Sequence, residues 1–490
     1  MIPCPPNLAY RPFQARCIRQ MRTMRCIYLA DEMGLGKTVQ AVGLINDDVT
    51  LNRVLVICPA CVKLNWSREL GRWLCRELTV DIAQGSQLPS TDIVIINYDL
   101  LVRHAKVLKK AMWDLVIYDE AHFIKEPTAK RTRVCNTLSA RRRLFLSGTP
   151  IPNRPIELHN VLGIIDPLFW GTRHEFGTQF CDAKEQDVPV PPYHIRRFWR
   201  QLKRVYADGR WWDKRGQVWC ARTGRDGYDN EVSDEAMRTA KIGRAVRTVW
   251  TYAGAQNLTE LNRWLYGSCM IRRTKAEVLP ELPAKTRQLV PLDCPQPNCA
   301  RVLEDRLGDD YLTALAKLSV PDSPGFEEIS NVWAEISRVK TQAVIEWIRT
   351  KLGDVEKLVV FAQHYEMLDA LYEQFGEIAV QVDGRTPTNQ RQGLIDQFTD
   401  LPFRRLFIGG LKAMGIGVNL TAASHVALAE IDHVPGNLEQ AIDRCHRIGQ
   451  TDPVTAYYMV LDDSLESRMA RQVIAKQRNI DAAINQEKTT

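Results

Sequence analysis

The chain has 490 residues, 45% of them apolar and 25% charged, ordinary globular values that exclude a chain disordered as a whole and suggest about three domains. Lys and Arg (65) outnumber Asp and Glu (58), giving a formal net charge of +7, a mild basic excess that fits a polyanionic partner without requiring one. No apolar run approaches the ~18 residues of a membrane span and the start, MIPCPPNLAY, lacks a charged-then-apolar signal, so a soluble, intracellular protein is expected.

Near the start, the apolar IYLA leads into DEMGLGKT (31–38) and then a helix-forming VQAVGLI. Strand, glycine-rich turn and helix in that order form a phosphate cradle. Gly34 and Gly36 let backbone N–H groups approach phosphate oxygens, Lys37 suits the β- and γ-phosphates, and the Thr38 hydroxyl suits Mg²⁺. A strict phosphate loop has glycine where this chain has Asp31. Four short apolar runs follow: RVLVIC (53–58), DIVIINY (92–98), DLVIYDE (114–120) and RRLFLSG (142–148). Each reads as a parallel strand buried on both faces. Cys58, which ends the first of these, forms a CxxC with Cys61 (CPAC), and Cys294 and Cys299 lie five apart. Neither the separation of the pairs nor the second spacing suits a zinc ribbon, and thirteen scattered cysteines do not suit a disulfide framework. Reduced, partly buried thiols are expected.

VIYDEAH (116–122) places two adjacent carboxylates at the C-terminal end of a strand. Open α/β sheets bind ligands there. Asp119 is expected to hold Mg²⁺ through water, and Glu120 to orient and deprotonate an attacking water. The bland alternative is an acidic pair capping the next helix.

From about 166 to 335 the sequence reads as mostly helical or irregular, with proline clusters at 188–192 and 279–285. Within it, 186–250 holds five of the twelve tryptophans (Trp199, Trp211, Trp212, Trp219, Trp250) and fourteen Lys or Arg against eight Asp or Glu. Most of the chain's basic excess is therefore local. Its two readings are a nucleic-acid-contacting element and a small subdomain whose rings form its own core. A second series of strands follows: KLVVFAQ (357–363), IAVQVDG (378–384), RRLFIGG (404–410) and HVALAEID (425–432). Strands alternating with helices, twice over, predict an α/β protein with two doubly wound parallel-sheet lobes. The expected domains are a first ATP-binding lobe at 1–165, helical protrusions and linker with the insertion at 166–335, a second lobe at 336–463, and a packing helix at 464–490. In that helix Leu465, Met469, Val473, Ile480 and Ile484 share a face.

QAIDRCHRIGQ (440–450) in the second lobe has Arg444 and Arg447 three apart, on one helical face. Facing the first lobe across a cleft, they would stabilise charge on a transferring phosphoryl group.

Taken in order, DEMGLGKT, CPACVKLNWSREL (58–70), DEAHFIK (119–125), LSGTPIPN (146–153), GGLKAMGIGVNLTAA (409–423) and QAIDRCHRIGQ resemble the Swi/Snf family of double-stranded-DNA translocases in helicase superfamily two. The resemblance runs from YRPFQ (10–14) to about residue 450. INYDLL (96–101), EPTAKRT (126–132), FGTQFCDAK (176–184), QNLTELNRWL (256–265) and IRRTKAEVLPELPAKTR (271–287) look most like its fork-remodelling, strand-annealing branch. The resemblance implies two RecA-like lobes, ATP and Mg²⁺ as cofactors, and double-stranded or forked DNA as partner, with no membrane role and a monomeric motor. It carries aspartate at the position of Asp31. It assigns Arg11 and Gln14 to adenine, and Asp31, Glu32, Met33, Gly34, Leu35, Gly36, Lys37 and Thr38 to ATP. Asp119, Glu120, Ala121 and His122 form its DEAH box. Lys63, Asn65 and Trp66 would lie on the DNA-tracking face, and Ser147, Thr149, Gly415, Gly417, Asn419 and Thr421 would couple nucleotide state to DNA grip.

The implied activity is a DNA-dependent ATPase that moves along duplex DNA and remodels or anneals DNA structures. The alternatives are a strand-separating or RNA-directed helicase, a nucleic-acid-binding scaffold without ATPase activity, and a metabolic phosphoryl-transfer enzyme. The motif wording disfavours the first, the presence of Lys37, Asp119, Glu120, Arg444 and Arg447 disfavours the second, and the second lobe disfavours the third. Compactness fits a viral or prokaryotic source and hence a cytoplasmic location.

Overall fold

The computed structural model describes residues 2–85, 87–189, 204–207, 210–213, 218–219, 246–292, 326–411, 418–461 and 465–485. All eight apolar runs are strands. The first sheet has seven strands: β1 (Cys26–Leu29), β2 (Val54–Cys58), β3 (Val80–Ile82), β4 (Ile93–Asn97), β5 (Trp113–Asp119), β6 (Ala140–Leu146) and β12 (Met270–Ile271), in the order β12-β1-β6-β5-β2-β4-β3. The second has six: β13 (Lys285–Leu292), β14 (Leu358–Ala362), β15 (Ala379–Val382), β16 (Leu406–Gly410), β17 (His425–Leu428) and β18 (Val454–Leu461), in the order β13-β18-β17-β14-β16-β15. Every pairing in both sheets is parallel. The expected pair of α/β lobes is present.

The alternation of side chains explains the continuous apolar runs. In β2, Leu55 and Ile57 join the core on one face of the first sheet, while Val54, Val56 and Cys58 join the core on the other. In β14, Val359 and Phe361 face one core and Leu358, Val360 and Ala362 the other. Burial on both faces removes the polar half of the usual alternation.

The stretch read as helical or irregular also contains strands. Met270–Ile271 closes the first sheet beside β1, and Lys285–Leu292 forms the edge of the second beside β18. Met270–Ile271 is buried but only two residues long, and Lys285–Leu292 lacks the composition of a buried strand, with Thr286, Arg287, Gln288 and Leu289 exposed. Around the insertion, β7 (Lys184–Pro189) pairs antiparallel with β11 (Val246–Thr251). Inside it, β8 (Arg204–Ala207), β9 (Arg210–Asp213) and β10 (Val218–Trp219) form a separate antiparallel sheet.

The C-terminal helix, Leu465–Ile484, spans both lobes. Met469, Ala470 and Val473 pack in a core of the second sheet, whereas Ile480, Ala483 and Ile484 pack in a core of the first. Tyr266 donates its hydroxyl to the Ile484 carbonyl at 3.0 Å, and the Asn262 amide donates to the carbonyls of Ala483 and Asn485.

Candidate functional site

The glycine-rich turn joins β1 to helix α2 (Lys37–Asp47). Gly34 (φ 83°) and Gly36 (φ 77°) occupy the left-handed region, which glycine alone adopts without strain. Space restricts them as well. A Cβ on Gly34 would lie 2.8 Å from Arg447 Cβ, and one on Gly36 would lie 2.6 Å from Gln14 Nε2. Lys37 Nζ donates to the carbonyls of Asp31 (2.8 Å) and Glu32 (3.2 Å). Burial pulls the Lys37 pKa down, against the opposing charges of Glu120, Asp31 and Asp119. Met33 packs beneath Gly148, where a Cβ would meet its Cγ at 2.4 Å.

Gln14, one turn into helix α1 (Pro12–Arg22), donates through Nε2 to the Leu35 carbonyl at 3.2 Å and accepts from the Arg11 backbone N–H at 3.0 Å. The Arg11 guanidinium pairs with Glu281 at 3.1 Å. Of the two residues assigned to adenine, Gln14 therefore borders the glycine-rich turn, whereas the Arg11 side chain is paired with Glu281.

Asp31 is fully buried, and its partners explain the departure from a strict phosphate loop. Arg273 Nη2 lies 2.6 Å from its Oδ2 and Arg273 Nε 2.9 Å from its Oδ1, while Gln40 donates to Oδ2 at 3.0 Å. Both carboxylate oxygens are thus committed to protein donors. Asp31 holds the linker segment to the loop. Two residues on, the Lys275 backbone N–H donates to Glu32 Oε2 at 2.5 Å. Lys275 Nζ pairs with Asp443 at 2.9 Å and donates to the His446 carbonyl at 2.5 Å. Burial opposes ionisation of Asp443, but Lys285 and Lys275 outweigh it and hold that carboxyl well below its ordinary range. The linker therefore bonds to the glycine-rich turn and to the arginine-bearing segment together.

Asp119 ends β5 and Glu120 follows in a left-handed conformation (φ 50°, ψ 58°). Non-glycine residues held there cost energy and concentrate at functional sites. Burial and the neighbouring Glu120 charge raise the Asp119 pKa to about 6. Burial pushes Glu120 up too, but His122, Lys37 and Arg444 prevail and its net shift is downward. Of the two neighbouring carboxylates, Glu120 is the one held below its ordinary range. His122 Nδ1 lies 3.3 Å from Glu120 Oε2 and 3.5 Å from Ser147 Oγ.

A chain of polar contacts runs onward from Ser147. The Thr149 N–H donates to Ser147 Oγ at 3.2 Å, and Gln440 Nε2 donates to Thr149 Oγ1 at 3.1 Å. Gln440 belongs to the second lobe, on helix Pro435–Ile442. Close by, the Gly436 N–H donates to the Pro152 carbonyl at 3.2 Å. Arg444 is buried and Arg447 half-buried, and desolvation lowers the pKa of each, Arg447 to about 9 with Arg444 as a further cause. The largest opposing influence on Arg444 is the negative charge of Glu120. Arg447 Nε donates to the Asp443 carbonyl at 3.2 Å.

Trp66 departs from expectation. It is fully buried, and its indole N–H donates to Asp119 Oδ2 at 2.7 Å, so it is not on a DNA-facing surface. Its helix, α3 (Lys63–Trp73), turns Trp66, Leu70 and Trp73 into the core at helical spacing, and Val62 just before the helix joins them. Asn65 is exposed, and Lys63 is half-buried with Nζ donating to the Ala83 carbonyl at 3.3 Å. Asn419 is exposed, and the Thr421 carbonyl accepts from Gln450 at 3.2 Å. Gly415 and Gly417 lie outside the described residues, as do Trp199, Arg196, Arg197, Arg200 and Lys203. Trp250 is exposed at the end of β11, its ring 4.6 Å from that of His174.

Two family models match the chain: the SNF2-related domain over residues 13–296 and the helicase conserved C-terminal domain over 339–449. The chain belongs to the SNF2-related family. Within this SNF2-related chain the first match covers β1 to β13 and both partners of the Asp31–Arg273 pair; the second covers β14 to Arg447. The chain is 30% identical to the mouse "DNA annealing helicase and endonuclease ZRANB3", over 95% of this chain and 40% of that protein. It is also 30% identical to the Caenorhabditis elegans homologue of "SWI/SNF-related matrix-associated actin-dependent regulator of chromatin subfamily A-like protein 1", over 92% of this chain and 58% of that one. The SNF2-related chain thus spans about two-fifths to three-fifths of the length of these relatives. A Sulfolobus solfataricus SWI2/SNF2 ATPase core in complex with dsDNA aligns over 98% of each chain at 20% identity, with a TM-score of 0.41.

Proposed function

We propose that the chain is a DNA-dependent ATPase that moves along double-stranded DNA and remodels or anneals DNA structures. The observation that carries the reading is the meeting of two half-sites: Arg447, from the second lobe, packs against Gly34 of the glycine-rich turn, and Gln440 beside the arginines bonds to Thr149 of the first lobe. An ATPase site divided between lobes makes hydrolysis depend on their closure, and closure is the stroke of a motor.

The residues present fit a magnesium nucleotide. Thr38 supplies a hydroxyl and Asp119 a carboxylate, hard oxygens of the kind Mg²⁺ takes, with other positions left to water and phosphate. Bound there, the ion neutralises charge on the phosphate oxygens. Lys37, freed from the Asp31 and Glu32 carbonyls, binds the β- and γ-phosphates. Glu120 takes a proton from water aligned with the γ-phosphorus. Arg444 and Arg447 stabilise charge developing on the transferring group, which in comparable sites is worth ~10³–10⁵ in rate. The contacts from His122 through Ser147 and Thr149 to Gln440 relay the state of this centre to the second lobe.

DNA as the track is supported by the exposed start of α3 and by the name of one relative, a "DNA annealing helicase and endonuclease". The basic insertion fits a contact with forks or ends. Among the described residues no helix is long and apolar enough to cross a membrane. The test is displacement of a third strand from a triplex, which a duplex translocase ejects without separating the duplex. ATP-dependent ejection without unwinding of a plain forked duplex supports the reading; unwinding without ejection sinks it in favour of a strand-separating helicase.

A further inference from the structure

The buried pairing of Trp66 with Asp119 has no counterpart in the roles assigned so far. An indole in an apolar core fills its volume as well as any large side chain, but its N–H must find an acceptor. Here the acceptor is the carboxylate that ends β5, at 2.7 Å. The other carboxylate oxygen, Oδ1, accepts the Glu120 backbone N–H at 3.0 Å, and the Asp119 carbonyl accepts the Tyr98 hydroxyl at 2.8 Å. Three donors from three segments fix this residue. An ionised carboxylate has about four acceptor sites on its two oxygens. With one donor on each, both keep room for a water or a metal ion.

We infer that Trp66 is a positioning residue: its indole N–H fixes the rotation of the Asp119 carboxylate so that the remaining lone pairs face the magnesium position. The inference rests on the reading of the cleft as a magnesium-nucleotide site. The physical precedent is general. Carboxylates that serve metals are themselves held by hydrogen bonds, and removing such a partner weakens the metal rather than the fold. Phenylalanine would satisfy the core that Val62, Leu70 and Trp73 form around this position. It would leave the carboxylate held only through Oδ1 by the Glu120 N–H, so that Oδ2 loses its anchor and the terminal torsion, a broad rotor with no single preferred angle, is less closely fixed.

The experiment is calorimetric titration of ADP into wild type and Trp66→Phe, each with and without Mg²⁺. In the wild type Mg²⁺ strengthens ADP binding. In Trp66→Phe that strengthening falls ~10-fold or more, while ADP affinity without Mg²⁺ and affinity for duplex DNA are unchanged. An undiminished effect of Mg²⁺ in the variant overturns the inference. So does an equal loss with and without the ion, which marks Trp66 as packing alone. If the wild type itself shows no effect of Mg²⁺, the magnesium-nucleotide reading fails and takes this inference with it. Should Trp66→Phe not fold, benzothienylalanine at position 66 keeps the ring shape, removes the N–H and runs the same comparison.

Discussion

Gln440 Nε2 donates to Thr149 Oγ1 at 3.1 Å, a direct hydrogen bond from the helix before the paired arginines to the loop after β6. It is the last contact in a polar chain that begins at Glu120, and it crosses between the two sheets.

Gln440→Ala removes that contact while leaving every nucleotide-facing group in place. A neutral hydrogen bond contributes ~0.5–1.5 kcal/mol net, so duplex-stimulated turnover should fall by about two- to tenfold. ATP affinity and unstimulated turnover should change little. Equal losses with and without DNA would assign Gln440 to the chemistry and not to its coupling.

Lys37→Ala and Glu120→Gln should each abolish ATP hydrolysis, the first by removing charge compensation at the phosphates and the second by removing the base. Both side chains lie inside the cleft, so duplex binding should persist. A variant that keeps more than about a tenth of the wild-type rate contradicts its assigned role.

Arg444→Ala and Arg447→Ala should lower turnover far more than nucleotide affinity, because a charge that acts on the transition state leaves the ground state little changed. Nucleotide binding and single-turnover rates, measured side by side, separate the two effects. Affinity lost in step with turnover would mark the arginines as ground-state ligands.

The strand series was legible because parallel strands buried on both faces are continuous apolar runs, as in Leu358–Ala362. Lys285–Leu292 was not: as an edge strand its middle residues face solvent and read as loop. Trp66 could have been turned inward from the spacing of Trp66, Leu70 and Trp73, a helical stripe. The sequence motif instead placed the whole segment on one surface. Arg273 gave no such signal. Its partner Asp31 is 242 residues away, and only the fold brings the two together. Gln440 stood inside a recognised motif, but its contact belongs to the other lobe.

Arg273→Ala leaves the Asp31 carboxylate buried without its cation. Breaking a buried ion pair in this way costs ~3–5 kcal/mol, so the urea midpoint should drop clearly, together with ATP binding by the glycine-rich turn. A wild-type midpoint would mean that the Arg273–Asp31 contact contributes nothing to holding the linker.

His364 and Glu430 provide a pH test. Their Nδ1 and Oε1 atoms are 2.5 Å apart. The hydrogen bond to Glu430 is the largest cause raising His364 above its ordinary 6.5. Burial alone would raise Glu430, but His364 and Lys340 hold it at about 2, below its ordinary 4.5. A depressed carboxylate stabilises the fold above its ordinary value and loses that effect as pH falls toward its folded pKa; a raised histidine stabilises below its ordinary value and loses the effect as pH rises through its folded pKa. The pair therefore contributes fully between 4.5 and 6.5. Chemical denaturation from pH ~6 to ~9 should show the wild type losing its advantage over His364→Asn. A constant difference across that range contradicts the pairing.

For the insertion, replacing Arg196, Arg197 and Arg200 with alanine should flatten the salt dependence of forked-DNA affinity by up to ~3 phosphate equivalents. An unchanged slope in a folded variant makes the insertion a packing element and leaves DNA binding to the cleft.

The central claim is a duplex-driven ATPase built from two lobes, and the most direct measurement is the steady-state ATPase rate with duplex DNA, forked DNA, single-stranded DNA, RNA and no nucleic acid. A low rate alone, strong stimulation by duplex or forked DNA, and little by single strands or RNA are expected. A rate that is the same in all five conditions, or highest with RNA, would contradict the claim.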